Sequence, residues 1–233
     1  MPSKLVRALK RLTVESVAFD PSIIGDDHAL RTEWSPARGG GASFGTHRLV
    51  SVDPDRLEFK ATPGAVAFYA LFLGVGLAVV IGFSLAIATG SLGWREQGLP
   101  RYLPLALGAV FTIVGGSLLY SGVAPIVFDR RRGEYWKGRV APSDVANPAS
   151  LDDHAELDRI HALQIVSEHC RGNKSSYYSY ELNLVLDDGT RLAVVDHGDL
   201  DRVRADAATL ARFLDRPVWD ATLRREAPGR YDS

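Results

Sequence analysis

Two long apolar runs, Ala65–Ala88 and Tyr102–Ala124, constrain this chain more than anything else in it. No formal charge occurs between Lys60 and Arg95, or again between Arg101 and Asp129. Each gap exceeds the roughly 20 residues with which a helix crosses a bilayer. A backbone crossing hydrocarbon must satisfy its own N–H and C=O groups, so the runs predict two transmembrane helices. They form a hairpin over 65–124, with the polar stretch Ser91–Arg101 between them. Neither run contains Asp, Glu, Lys, Arg or His, which argues against an ion path, proton relay or voltage sensor.

Small residues recur at every fourth position of the first run, at Ala70, Gly74, Ala78, Gly82, Ala86 and Gly90. The second run offers Gly108, Thr112 and Gly116. Such ridges let helix backbones approach closely where no hydrophobic effect operates between them. The packing set read from this spacing is Gly74, Ala78, Gly82, Ala86, Gly108, Thr112 and Gly116, serving either one hairpin or a homo-oligomer. Phe68, Tyr69, Trp94 and Tyr102 bracket the runs as interfacial aromatics would.

The other segments of the 233-residue chain are enough for one domain. A net charge of −1 argues against a general nucleic-acid binder, which would usually carry a strongly basic face. The single cysteine, Cys170, excludes an intramolecular disulfide and agrees with a reducing compartment.

In chain order, residues 1–43 are an N-terminal amphipathic and irregular segment. Lys4, Arg7, Lys10 and Arg11 interleave with Leu5, Leu9 and Leu12 as in a short basic surface helix. The stretch lacks the apolar core and cleavage site of a secretory signal and is expected to be retained. Ser16–Gly41 carries loop chemistry, and its triplet Gly39-Gly40-Gly41 precedes neither Gly-Lys-Ser/Thr nor a helix start, so no phosphate loop is supported. Residues 44–61 predict a first β-hairpin turning at Asp53-Pro54-Asp55. Residues 126–219 complete the domain. They read as two short strands around Asp129–Gly133, a surface loop over Ala141–Asp153, strands over Ile160–Val166, Tyr178–Leu186 and Thr190–Val195, and an amphipathic helix from about Asp199 to Leu214 stopped by Pro217. Residues 220–233 form a C-terminal tail.

The run Ile126-Val127-Phe128-Asp129-Arg130, the hairpin Tyr180–Val195 and the Ala208–Val218 helix ending in Leu-Asp-Arg-Pro-Val resemble bacterial two-helix inner-membrane proteins bearing a PH-like domain. The resemblance covers most of Phe44–Trp219. It implies a membrane α+β fold in which the transmembrane hairpin is inserted into a PH-like, seven-stranded antiparallel β domain with a C-terminal α-helix. It implies no enzymatic activity. The hairpin falls inside the domain's own sequence, between strands two and three. Both sides of that insertion should therefore form one sheet, since Phe44–Ala61 alone buries too little to be stable as a lone hairpin.

Lys and Arg dominate the outer flanks, with Arg48, Arg56 and Lys60 before the first run and Arg130, Arg131, Arg132, Lys137 and Arg139 after the second. The connection between the runs has Arg95 and Arg101. The positive-inside rule thus places both termini in the cytoplasm. The five basic residues from Arg130 to Arg139 are read as a patch at the headgroups.

His154, His161, His169, Cys170, Asp196 and His197 are of metal-ligand type, but their spacing matches no zinc pattern, and no nucleophile context such as Gly-x-Ser-x-Gly is present. No catalytic residue, cofactor or metal is expected. The sequence suggests a non-enzymatic binding module fixed to the inner membrane, presenting a surface to lipid headgroups or to a protein partner not identified by the sequence. Alternatives are an immunity protein against a membrane-acting toxin, an accessory subunit of a transport or secretion assembly, and a metal-dependent enzyme at the membrane face.

Overall fold

The computed structural model describes residues 19–41, 45–91, 102–148, 151, 153–171 and 176–222. The basic N-terminal segment, Phe44, the connection carrying Trp94, Arg95 and Arg101, and the last part of the C-terminal tail lie outside these described residues. Nine strands and four α-helices are present among them. The strands are β1 (His47–Asp53), β2 (Arg56–Ala61), β3 (Ile126–Asp129), β4 (Glu134–Lys137), β5 (His154–Glu156), β6 (Ile160–Arg171), β7 (Ser176–Leu186), β8 (Arg191–His197) and β9 (Val218–Asp220). The helices are α1 (Asp27–Arg31), α2 (Pro63–Ala88), α3 (Leu103–Ser121) and α4 (Leu200–Leu214).

The strands form two sheets, one of five strands in the order β1-β2-β3-β4-β5 and one of four in the order β8-β7-β6-β9. β2 pairs with β3 in register from Arg56↔Asp129 to Phe59↔Ile126, so the segments before and after the helical pair share one sheet. This is the pairing that the composite sheet required. The count of seven antiparallel strands is corrected to nine, in two sheets, with one parallel pairing between β6 and β9. The unread strands, β5 and β9, have three residues each, too few to display a period. β5 begins at His154, directly after the Ala141–Asp153 loop. β9 follows Pro217, where the resemblance extended the last helix to Val218. That helix stops instead at Asp215, whose left-handed backbone (φ 55°) closes it.

Alternation along the strands builds the core. Leu57 and Phe59, Phe128, Tyr135, Leu163 and Ile165, and Leu182 and Leu184 face inward between the sheets, and Val203, Ala207, Leu210 and Phe213 of α4 close the same core. Asp199 caps α4, accepting from the Asp201 and Arg202 amides. The outer face of the four-stranded sheet is covered by the irregular segment 19–41, with Trp34 and Ile24 on Ala162, Val185 and Trp219.

The buried polar row on that outer face fixes the segment. Glu181 accepts from the Ala37 and Arg38 amides at 2.7 and 2.9 Å, and Glu168 from those of Gly40 and Gly41 at 2.9 and 3.0 Å. A Cβ at Gly41 would stand 2.3 Å from Ser179 Oγ, so only glycine permits this approach. The triplet's amides thus meet the protein's own carboxylate.

α2 and α3 are long and apolar enough to cross a membrane. They pack on each other, with Phe72 stacked on Phe111 at 5.6 Å, and leave most of their apolar side chains uncovered. Leu71 is 61% and Ile113 70% exposed, whereas a helix in a soluble core would bury such residues. Their crossing uses Gly76, Gly108, Thr112 and Gly115: a Cβ at Gly76 would lie 2.4 Å from Thr112 N, and one at Gly115 2.3 Å from Leu73 N. Of the packing set read from sequence, Gly108 and Thr112 meet at this crossing. Gly74, Gly82 and Gly116 have nothing within 4 Å of an added Cβ, and Ala78, Gly82 and Ala86 line an open groove on α2.

Candidate functional site

Helix and sheet are joined almost without slack. β2 ends at Ala61, and Thr62 is at once the next residue and the cap of α2, its hydroxyl accepting from the Ala65 amide at 3.2 Å. Thr62 is also tied back to the chain entering β1, its amide to Thr46 O at 2.8 Å and its hydroxyl to Gly45 O at 3.1 Å. α3 ends at Ser121 and β3 begins at Ile126, at the same end of the sheet. His47 Nε2 bridges the two roots through Ala124 O at 3.3 Å.

A cavity of about 710 Å³ opens here, between the five-stranded sheet and edge strand β8. Its walls include Ile126, Ala193, Val194 and Val195, and its outer lip Tyr120 and Val140. Charged groups enter it from several elements: Lys137 from β4, Asp196 from β8, Arg139 from the turn after β4, and Arg38 from the covering segment, paired at 2.7 Å with Asp153 just ahead of β5. Arg139 rests on the end of α3, donating to Tyr120 O at 3.1 Å with its guanidinium 5.5 Å from the Tyr120 ring centre.

Lys137 and Asp196 are the unusual members. Lys137 stands opposite Ile126 in the β3–β4 ladder, so its side chain occupies an inward, core-side position. Among the described residues neither side chain makes a hydrogen bond or an ion pair. Burial pushes the Lys137 ammonium below its ordinary range, partly offset by Asp153. Burial pushes the Asp196 carboxyl up to about 6, Glu181 adding to the effect and Lys137 opposing it. Burial also lowers His47, keeping its imidazole neutral to lower pH.

The five basic residues read as one patch are divided by the structure. Lys137 and Arg139 lie at the hairpin root. Arg130, Arg131 and Arg132 form the β3–β4 turn at the other end of β3, about 13 Å away for a four-residue strand. There they are engaged within the protein. Arg130 donates to Phe213 O and covers the Phe213 ring, Arg131 pairs with Asp53 and Asp55, and Arg132 pairs with Asp144. A short strand running away from the second apolar run carries the triplet off the root, and the strand's return brings Lys137 back. A second cavity, of about 580 Å³, lies by this far turn.

The residues of metal-ligand type are dispersed. His161 lies 2.8 Å from Asp26 and stacks on His28, His169 stacks on Tyr178, and His197 Nδ1 accepts from the Asp199 amide. No three His, Cys, Asp or Glu converge as a metal site would need among the described residues. Sequence reading missed His47, Tyr120 and Arg38 as cleft residues and considered Asp196 only as a metal ligand. One partial signal was available: Lys137 shares the parity of Tyr135, which faces the main core, although Trp136 of the opposite parity is buried too.

The fold and the cleft define a class: an α+β protein in which two helices able to cross a membrane are inserted between the second and third strands of a two-sheet domain. Compared with known protein families, curated proteins and solved structures, the chain matches none.

Proposed function

We propose that this protein is a non-enzymatic binding module anchored in the bacterial inner membrane. Its PH-like two-sheet domain lies in the cytoplasm and meets its ligand, a lipid headgroup or a protein partner at the membrane, in the cleft at the hairpin root. The single observation that carries this reading is the placement of that cleft: it opens where α2 and α3 leave the sheet, with Tyr120 and Ser121 of α3 in its wall. A hairpin spanning the bilayer therefore sets the mouth at headgroup level. Arg48, Lys60, Lys137 and Arg139 at this end support a cytoplasmic domain by the positive-inside rule.

The test is a photoreactive side chain introduced at Val140, on the exposed lip, or at Arg132, on the far turn, in the full-length protein in native membranes. Adducts of lipid or protein mass should form at Val140 and not at Arg132. Equal yields at both positions would remove the cleft as the binding face.

A further inference from the structure

Resting on the reading of the cleft as a membrane-facing binding site, we propose that it receives a phosphoethanolamine headgroup. The phosphate of a zwitterionic phospholipid faces Lys137 and Arg139, and its primary ammonium faces Asp196. Two charged groups in the cleft are left unmatched. Arg38 and Asp153 already satisfy one another at 2.7 Å, and Arg139 is steadied on Tyr120 at the rim. Lys137 and Asp196 remain, of opposite sign, in one cavity, and without meeting in an ion pair.

A partly desolvated charge without a hydrogen-bonded partner is costly, and two such charges in one cavity define the ligand that would relieve both. A purely anionic headgroup would answer Lys137 but stand against Asp196 and Asp153. A purely cationic one would reverse the conflict. A dipolar headgroup answers both at once. A primary ammonium suits Asp196 better than a quaternary one because it can donate hydrogen bonds to the carboxylate.

The source is the bilayer. The cavity lies at the hairpin root, with Ala124, Ile126, Val140 and Val194 supplying apolar wall for the glycerol end. Its volume of about 710 Å³ is of the order of a small-molecule site, which leaves the acyl chains outside, alongside α3.

The test uses full-length protein in mild detergent, with native mass spectrometry reading retained phosphatidylethanolamine, phosphatidylglycerol and phosphatidylcholine. Wild type should retain phosphatidylethanolamine roughly tenfold over the other two, a difference one charge-assisted hydrogen bond supplies. Asp196→Asn should abolish that preference while phosphatidylglycerol still binds. Lys137→Met should weaken all three lipids, and Lys137→Arg should restore them if the protein's melting temperature is kept. A preference unchanged in Asp196→Asn, or absent from wild type, overturns the proposal. If phosphatidylglycerol binds through Lys137 without that preference, the dipolar ligand fails and the cleft survives. No retained lipid together with no adduct at Val140 removes both. Soluble glycerophosphoethanolamine competing as well as the lipid would overturn the bilayer as the source.

Discussion

Asp196 couples the cleft to pH, and the direction follows from the charge it would rather not carry. Burial pushes its carboxyl from the ordinary 3.8 up to about 6 in the folded protein, so folding favours the protonated form. The stability it gives is complete below about pH 4 and is lost as pH rises through about 6. Asp196→Asn should therefore raise the melting temperature of the delipidated protein in detergent at pH 7.5 and leave it nearly unchanged at pH 4. With about 1.4 kcal/mol per pH unit, discounted for residual solvent contact, the gain is about 1–2 kcal/mol. Asp206 on α4 is also raised to about 6, so wild-type pH dependence alone does not isolate Asp196, whereas the difference between the two proteins does. An equal effect at both pH values would mean that something other than the carboxylate charge is at work. His47 acts with the opposite sign: burial lowers it, so its contribution falls away on acidification. At this scale the sequence was partly legible. Strand parity places Lys137 on an inward face, but nothing local brings Asp196, about sixty positions later, into the same cavity.

Among the elements, the two apolar helices show how a spacing can be read without its face. A four-residue repeat of small side chains marks a stripe on α2, and because that helix is apolar all round nothing in its sequence says which stripe meets α3. The crossing falls on Gly76, two positions off the stripe. Gly76→Ile would drive a β-branched side chain into the Thr112 backbone, and Gly82→Ile would meet open space. The first should lower the melting temperature in detergent by an overpacking cost of a few kcal/mol, while the second leaves it within experimental error of wild type. Equal losses would place Gly82 in an interface between copies or show a different crossing. The alternation along β7 and the stripe of α4 were legible because each pattern runs long enough to show its period, and β8 followed from the Asp187-Asp188-Gly189 turn. β5 and β9 were not, since their three residues owe their conformation to partners far along the chain, Tyr135 opposite Ala155 and Gln164 opposite Trp219.

For the whole molecule, the decisive contact is the β2–β3 ladder, which joins residues separated in sequence by the entire helical pair. Its existence was inferable, because a two-stranded hairpin rarely stands alone in water, although its register was not. A loop of a few turn-forming residues replacing 62–124 should give a soluble domain that keeps both sheets, since the ends of β2 and β3 are antiparallel neighbours. Circular dichroism and size-exclusion chromatography check this, and an aggregated or unfolded product would show that the helices also support the core. The same ladder holds β2 and β3, from whose ends α2 and α3 depart, one strand spacing apart, about 4.8 Å. Association of the two helices is thus an encounter at very high effective concentration, closed by hydrogen bonds outside the apolar segments. Weak contacts between glycines then suffice to keep the pair shut, and cutting the chain between the helices would leave them side by side.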